Sequence, residues 1–188
     1  MAITAEQQTG ILEVAIGLFN AAPGKIYNTE LANLVDVNGG NLSISELADL
    51  LDDTPAFKDN ILVGNVTIED QANILLNNFG LVADDDPASA GSQAKQFFED
   101  ELTADKGLGE IVIEAINYLK GTPAPEFVAT ATLLANKVLV AQAYTAVGSS
   151  TDVAILQTVL SKVTGDAPYT PEDVQQALAD SGVPLTDG

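Results

Sequence analysis

Apolar residues recur along most of the chain at intervals of three and four positions, the spacing that places side chains on one face of an α-helix. Ile11, Val14, Ala15 and Leu18 form the first such stripe, and similar stripes follow along the sequence. No stretch sustains the alternation of apolar and polar residues that is typical of a half-buried β-strand. The pattern therefore predicts an all-α fold, a compact domain of several helices without a sheet.

Polar residues that suit helix N-termini precede several of these stripes. Ser43 and Glu46 have the spacing of a capping box, in which each side chain bonds the backbone N–H of the other residue. Asp86 followed by Pro87 predicts a cap and a first helical residue for a helix that runs to about Leu102. Comparable N-terminal signals occur at Thr4, Thr54, Thr67 and Thr170.

The clearest break in the chain is GTPAP, residues 121–125, and the longest helical pattern follows it. The tract FVATATLLANKVLVAQAYTAV predicts a helix from Glu126 to about Val147 that is apolar on most faces, and such helices are usually buried. We therefore expect residues 1–120 to form one helical region. Residues 121–188 would form a second region that packs on the first, or the two would be one continuous domain.

Two segments within the first region are similar to each other. One runs from Ile11 through LFNAAPG to NGGNLSISELADLLDDTPAF, and the other runs from Gln71 through NNFGLVADDDP to KGLGEIVIEAINYLKGTPAP. Each reads as helix, turn, helix, Gly turn, helix and a Thr-Pro step. The similarity predicts two helical repeat-like units, followed by the C-terminal helices.

Charge narrows the range of partners. The chain has 27 acidic residues and 7 basic ones, for a net charge of −20. Nucleic acids and anionic lipid surfaces are bound through clustered cations, so neither is an expected partner. Divalent cations are suitable partners, because calcium prefers oxygen ligands. No apolar run approaches the roughly 20 residues of a membrane span, so no transmembrane segment is expected.

The chain has neither Cys nor His. This excludes thiol nucleophiles, Ser-His-Asp triads and the usual zinc sites. Pairs of carboxylates for glycoside hydrolysis exist among so many acids, but six Phe, four Tyr and no Trp offer no aromatic cleft to accompany them. We therefore expect no enzymatic activity. A Cys-free chain suits the cytosol and suits export equally well. The N-terminus lacks the basic region and cleavage site of a Sec signal.

The segment DVNGGNLSISEL, residues 36–47, raises the question of a metal site. Asp36, Asn38, Asn41 and Glu46 are spaced around a Gly turn and resemble the ligands of a calcium loop with one ligand position deleted. A Gly-Gly turn followed by the capping box described above accounts for the same residues without a metal. Both interpretations remain open from the sequence.

Other turn residues are candidates for contact with a metal or a sugar. Asp84 and Asp85 are adjacent carboxylates that either bind calcium or are simply solvated. Asn20 and Lys25 flank a further turn. Asn, Asp and Gly suit both calcium and sugar hydroxyls, and we expect the three turns to be exposed. They comprise residues 20–25, 36–41 and 84–88.

The positions of the four tyrosines and of Lys137 predict which of them lie near the surface and which lie in the core. Tyr27 and Tyr169 lie near turns and are candidates for stacking on sugar rings. Tyr118 and Tyr144 fall in apolar stripes, which predicts that they belong to the core. Lys137 lies within the long apolar helix, where we expect it either to extend to the surface or to pair with a carboxylate.

The tract GGNLSISELADLLDDTPAF resembles a small helical repeat of RTX-type secreted bacterial proteins and Gram-negative surface-layer proteins. In those repeats a Gly turn and a Leu-Ser pair precede a helix that ends in a Ser/Thr-Pro-x-Phe step. The long apolar tract and the Pro-Glu-Asp-capped helix after it are similar to the last part of the N-terminal anchoring region of surface-layer proteins. The resemblance covers most of the chain, and it rests on caps and packing residues.

This resemblance implies a non-catalytic module of a larger protein that is exported by a type I system and located at the cell surface. Such a module attaches a self-associating lattice to outer-membrane polysaccharide, the lipopolysaccharide, with calcium. The alternative is a self-assembling or calcium-responsive extracellular binding module that has no role with glycans.

Overall fold

The computed structural model describes residues 3–185, which form ten α-helices and, within that range, no strand. The prediction of an all-α fold is confirmed. The helices are α1 (Ala5–Phe19), α2 (Gly24–Val35), α3 (Ile44–Asp52), α4 (Pro55–Phe57), α5 (Ile68–Asn78), α6 (Ala90–Thr103), α7 (Leu108–Lys120), α8 (Val128–Thr145), α9 (Val153–Thr158) and α10 (Pro171–Ser181). A π turn at Lys58–Leu62 follows α4, and a 3-10 turn at Pro125–Phe127 precedes α8.

α1 is the central helix of the molecule. Its residues from Gly10 to Leu18 are all buried, and it contacts α2, α3, α5, α7 and α8. The predicted stripe accounts for one face only, because Leu12 and Ile16 lie on another face and are equally inaccessible. The other helices therefore pack around α1 on every side.

The close packing of α3 against α7 depends on Gly109. A Cβ atom at Gly109 would lie 2.5 Å from the carbonyl carbon and oxygen of Ala48, so the two backbones touch here. Asp52, at the end of α3, accepts a hydrogen bond from the Gly109 N–H at 2.7 Å and so satisfies one of the free amides at the start of α7. Burial raises the pKa of the Asp52 carboxyl group.

α8 is the long apolar helix that the sequence predicts, and it packs against α1, α2, α7 and α10. Among the described residues, the stretch Pro125–Thr145 alone has the length and apolar character that a membrane span requires. This differs from the expectation that no apolar run would reach that length. The buried core helix of a protein can have the same length and apolar character. The side of α8 that faces away from the other helices exposes Val128 and Leu139 to solvent.

Most of the predicted caps are confirmed. At five of the predicted starts a side-chain oxygen accepts a bond from the backbone N–H three residues later, and they are those at Thr4, Ser43, Thr54, Thr67 and Thr170. The prediction for Asp86 is wrong, because α6 starts later and its cap is Ser89. Asp86 instead accepts a bond from the Ala88 N–H at 2.9 Å and shapes the turn before the helix.

The predicted boundary at residue 120 does not divide the apolar core. One continuous cluster of buried side chains contains Leu12 of α1, Ile111 of α7, Val140 of α8 and Leu178 of α10. The two repeat-like units also pack differently. α1 contacts both α2 and α3, whereas α5, the corresponding helix of the second unit, packs mainly on α6.

Candidate functional site

The turn after α2 holds Asp36 in a closed network of hydrogen bonds. Asp36 is buried, and its Oδ1 accepts the N–H of Asn38 at 2.8 Å. Its carbonyl oxygen accepts the N–H groups of Gly39 and Asn41 at 2.8 and 3.0 Å. Asn41 has a left-handed backbone, with φ of 54°. The turn thus uses Asp36 to fix its own shape, while residues 37–41 are exposed.

The same turn caps the C-terminus of α2. The N–H of Gly40 donates to the Asn33 carbonyl at 2.9 Å, and the N–H of Leu42 donates to the Leu34 carbonyl at 2.9 Å. A side chain at Gly39 would overlap the Asn33 carbonyl, so glycine is required by the close approach of the backbone. Carbonyl groups that a helix leaves free are satisfied in this way.

Glu46 belongs to the capping box. Its Oε2 accepts the N–H of Ser43 at 2.8 Å, and the Ser43 hydroxyl accepts the N–H of Glu46 at 3.1 Å. The bond from the Ser43 backbone is the main cause that lowers the pKa of Glu46. In the described residues, no three acidic, His or Cys side chains cluster as a metal site would require. The capping box explains the position of the Glu46 side chain without a metal. Calcium binding at this turn stays a prediction.

The acidic turn before α6 is also held by hydrogen bonds. Asp84 Oδ1 accepts the N–H of Asp86 at 3.0 Å, and the Ser92 hydroxyl donates to the Asp84 carbonyl at 3.0 Å. Bonds from Ser89, then Asp86 and Ser92, lower the pKa of the Asp84 carboxyl group. Asp84 and Asp85 are exposed, and they remain candidates for cation binding at the surface.

The turn at 20–25 is not the exposed surface that the sequence predicts. Ala21 and Ala22 are buried, as are the two residues after them, and the Ala22 N–H donates to the Leu156 carbonyl at 3.1 Å. Asn20 ends α1 in a left-handed conformation, and its side chain bonds Lys137 inside the protein. Lys25 alone is exposed in this turn, and Asn20, which is half-buried, has an internal partner. Ligand binding by either residue stays a prediction.

Tyr27 and Tyr169 use their polar groups within the fold. The Tyr27 hydroxyl donates to the Thr151 carbonyl at 3.0 Å, and its ring lines an apolar cleft of about 280 Å³ between α1, α2, α3 and α9. The Tyr169 hydroxyl accepts the N–H of Thr164 at 2.8 Å. The Tyr27 bond joins parts of the chain that are 124 positions apart, and the Tyr169 N–H donates to Asn136 Oδ1, 33 positions away, at 2.9 Å.

Lys137 lies where the C-terminal ends of α1 and α5 meet. It is 6% exposed, and its Nζ donates to Asn20 Oδ1 at 2.8 Å and to the Asn78 carbonyl at 3.2 Å. The Asn78 amide in turn donates to the carbonyls of Gly17 and Leu18 at 2.9 Å each. Burial lowers the pKa of Lys137 to about 8. Both expectations for this lysine are wrong, because within residues 3–185 it neither reaches the surface nor has a carboxylate partner.

A second cleft gathers aromatic side chains that are distant in sequence. It has a volume of about 450 Å³ and lies between α5, α6, α7 and α8. Four of the six phenylalanines and one tyrosine line it, namely Phe79, Phe97, Phe98, Phe127 and Tyr118. The expectation that this composition offers no aromatic cleft is therefore wrong. We call this feature the aromatic cleft.

The aromatic side chains that line the cleft also contact one another. Phe79 and Phe98 are stacked with centroids 6.1 Å apart, and Phe97 lies 5.5 Å from Phe98. Tyr118 meets Phe127 edge to face at 5.5 Å.

Tyr144 is buried as predicted, but Tyr118 is 47% exposed, so its predicted place in the core is wrong. The Tyr118 hydroxyl accepts the Ala124 N–H at 3.0 Å, which fixes its ring at the rim.

The sequence carries only one hint of this cleft. Phe97 and Phe98 are neighbours on a helix and so point in different directions, and only Phe98 belongs to the buried face of α6. An aromatic residue off the apolar face is a weak signal of a second use. No spacing rule connects it with Tyr118 or Phe127, which other elements contribute.

No family model, no curated protein and no solved structure matches this chain.

Proposed function

We propose that this chain is a non-catalytic module of an exported bacterial surface protein, and that it holds that protein on the cell surface by binding outer-membrane polysaccharide with the help of calcium. The observation that carries the proposal is the excess of exposed carboxylates over lysines on the described surface. The ion pairs between lysines and carboxylates in the described residues involve six acidic side chains, which are Glu13, Asp53, Glu69, Glu99, Glu101 and Glu114.

Calcium provides the physical link in this proposal. A surface with a net charge of −20 repels the anionic groups of a cell-surface glycan unless cations lie between them. Calcium accepts six to eight oxygen ligands, so one ion can be shared between a protein turn and a sugar. The exposed turns at 37–41 and 84–88 offer carboxylate, amide and carbonyl oxygens. The lowered pKa of Asp84 keeps that ligand ionised.

The placement of the groups with shifted pKa values supports a role without catalysis. A catalytic acid or base is expected beside a cleft that substrate can enter, with its pKa shifted towards the working pH. Lys137 is enclosed between helix ends, and Asp52 caps α7. Glu46 and Asp173 hold capping boxes. Burial explains the pKa shifts of Lys137 and Asp52, and capping hydrogen bonds explain those of Glu46 and Asp173, so each shift has a structural cause.

The proposal is tested with purified protein and immobilised lipopolysaccharide that carries its full polysaccharide. We expect binding in millimolar calcium and release in a chelator with excess magnesium. The double substitution Asp84→Asn/Asp85→Asn should weaken binding at least tenfold. Asp59→Asn/Asp166→Asn removes the same charge from exposed positions elsewhere and should leave binding within about twofold. Binding that ignores calcium, or that is equal on lipopolysaccharide without its polysaccharide, would defeat the proposal.

A second function, self-association without a glycan, is favoured by the outer side of α8. Val128, Ala135 and Leu139 are exposed and spaced by seven and four residues, so they lie on one helix face. An exposed apolar strip is typical of a surface that another protein covers. Under this alternative, Leu139→Lys would abolish calcium-dependent assembly in sedimentation. Under the anchoring proposal it would leave lipopolysaccharide binding intact.

A further inference from the structure

The aromatic cleft has the size and lining of a small-molecule site. Such sites have volumes of about 300–1,000 Å³ and combine apolar walls with a few polar groups. The cleft measures about 450 Å³ and is lined mainly by apolar side chains, among them Leu81, Ala94, Ala115 and Leu119. The turns and carboxylates of the anchoring proposal take no part in it, so this site is independent of that function.

The ring geometry defines what fits between the walls. The stacked pair Phe79 and Phe98 forms a buried side, and Phe97 and Tyr118 stand at the rim. Aromatic faces bind other rings by offset stacking or edge contacts, which add to the free energy of apolar burial. A ligand with a planar or alicyclic ring is therefore favoured over a flexible chain.

Thr130 supplies an unused polar group in the wall of the cleft. It is 6% exposed, lies in the first turn of α8 and lines the cleft. Within the described part of the chain its hydroxyl has no hydrogen-bond partner. By contrast, Thr132 on the same helix donates to the carbonyl four residues earlier at 3.0 Å, as Thr103 does on α6 at 2.7 Å. The hydroxyl oxygen stays accessible to solvent from the cleft, so a ligand with one hydrogen-bonding group would replace water there and be oriented by that bond.

The other polar groups of the cleft are already engaged. The Glu114 carboxylate accepts from Lys106 at 2.7 Å, and the Gln93 amide donates to Glu126 at 2.9 Å. No free cation is left among these groups to hold an anionic ligand, and the negative field of the whole protein repels anions. Glu114 shares the single charge of Lys106 with Glu101, so its carboxylate is already held in an ion pair. Walls that are mainly apolar, with the lining carboxylate paired in this way, favour a neutral ligand.

We propose that the aromatic cleft binds a small neutral molecule that has an aromatic or alicyclic ring system and one hydrogen-bonding group, which meets the Thr130 hydroxyl. The ring system lies between the Phe79–Phe98 pair and the Tyr118–Phe127 pair. The apolar volume sets the affinity, and Thr130 fixes the orientation.

The test uses N-phenyl-1-naphthylamine, a neutral probe with two aromatic parts and one N–H, whose fluorescence rises in apolar surroundings. We expect saturable binding with one probe per chain. Ala115 lies in the wall of the cleft, and Ala115→Phe fills the space while keeping every lining ring. This variant should weaken binding at least tenfold. Thr130→Val keeps the shape of the side chain and should weaken binding about two- to tenfold.

The matched control is Ala56→Phe, which fills the other apolar cleft, the one lined by Tyr27. It should bind the probe as the unaltered chain does. Circular dichroism and melting identify a variant that has not folded. If Ala115→Phe does not fold, the comparison of Thr130→Val with the unaltered chain decides the matter.

Four results would overturn the proposal. The first is the absence of saturable binding to the unaltered chain, and the second is loss of binding in Ala56→Phe rather than in Ala115→Phe. The third is equal affinity of Thr130→Val and the unaltered chain. The fourth is a dimer in sedimentation that Ala115→Phe separates, because a second copy of the chain would then occupy the cleft.

Discussion

At the scale of single residues, Lys137 is a basic side chain enclosed in surroundings that disfavour its charged form. Its ammonium group is enclosed, it has two hydrogen-bond acceptors, and no carboxylate in the described range neutralises it. The C-terminal ends of α1 and α5 present partial negative charge, which favours the cation. Desolvation outweighs this attraction and lowers the pKa to about 8.

Lys137 should therefore make stability depend on pH in a defined window. An unfolded lysine has a pKa near 10.5, so between pH 8 and 10.5 the unfolded chain binds more protons at this site than the folded chain. The free energy of unfolding then rises with pH across this window, and the strain on the charged form is fully present below pH 8. The rise attributable to Lys137 is on the order of 3 kcal/mol.

Denaturant titrations of Lys137→Met and the unaltered chain at several pH values measure this contribution. The difference in unfolding free energy between the two should change between pH 8 and 10.5 and be flat below pH 8. Lys162→Met removes the same charge from an exposed position and should show no such change. A constant difference across the window would contradict the assignment to Lys137.

The sequence could reveal that Lys137 lies in an apolar helix, but not what it meets there. Its partners are 59 and 117 positions away, and both bonds depend on helices that end at the same place. The capping serines and threonines, by contrast, could be predicted, because their partners lie three residues along the chain. The same limit applies to Asn20, since a residue at a helix end can face either solvent or another helix.

At the scale of elements, helix starts are set by local chemistry, and α3 offers the clearest test. Ser43→Ala should lower the unfolding free energy by about 1 kcal/mol, whereas Glu46→Gln should have little effect, because Gln can also complete a capping box. Thermal melting at neutral pH measures both. The lowered pKa of Glu46 adds stability that is present above pH 4.5 and is lost as pH falls through the folded-state pKa, a loss that Glu46→Gln should remove.

The same variants separate the cap from a calcium site. If Glu46 only caps α3, calcium should shift the melting of Glu46→Gln and of the unaltered chain equally. A calcium response that Glu46→Gln selectively loses would instead identify Glu46 as a ligand, since the change removes a charge from the coordination shell.

The start of α6 marks the limit of prediction at this scale. Asp86 and Ser89 both have good capping chemistry, and local sequence gives no reason to prefer the second. The contact that decides where α6 starts comes from the segment before the helix. This segment lies so close to Gly91 that a side chain there would overlap the Val82 carbonyl. Ser92 also bonds the backbone of Asp84 at 3.2 Å. The segment therefore folds over the first turn of the helix and delays its start.

At the scale of the whole molecule, charge acts on stability as well as on partners. A net charge of −20 repels itself in the compact state, and salt screens that repulsion. We expect the melting temperature to rise with sodium chloride. At matched ionic strength, calcium at ten times its dissociation constant should add about 1.4 kcal/mol, or about 3–6 °C. Equal melting temperatures in calcium and in chelator would contradict a native calcium site.

The fold class could be predicted from spacing alone, and the candidate sites could not. Helical periodicity is a local property, so the all-α architecture and the long helix followed from it. The aromatic cleft depends on four helices that meet, and its rings come from positions between 79 and 127. The composition gives the number of aromatic residues, but it does not show that five of them lie around one cleft.

The end of α1 has a consequence for the order in which the chain can be completed. The carbonyl of Phe19 accepts the Gln157 amide at 2.9 Å, a bond between residues 138 positions apart. The carbonyls before it depend on Asn78, and the side chain of Asn20 depends on Lys137. Contacts of such long range close large loops and slow folding. A chain that emerges N-terminus first therefore leaves the last turn of α1 without its partners until residue 157 has appeared. α1 precedes the other nine described helices along the chain, yet it is among the last to be completed.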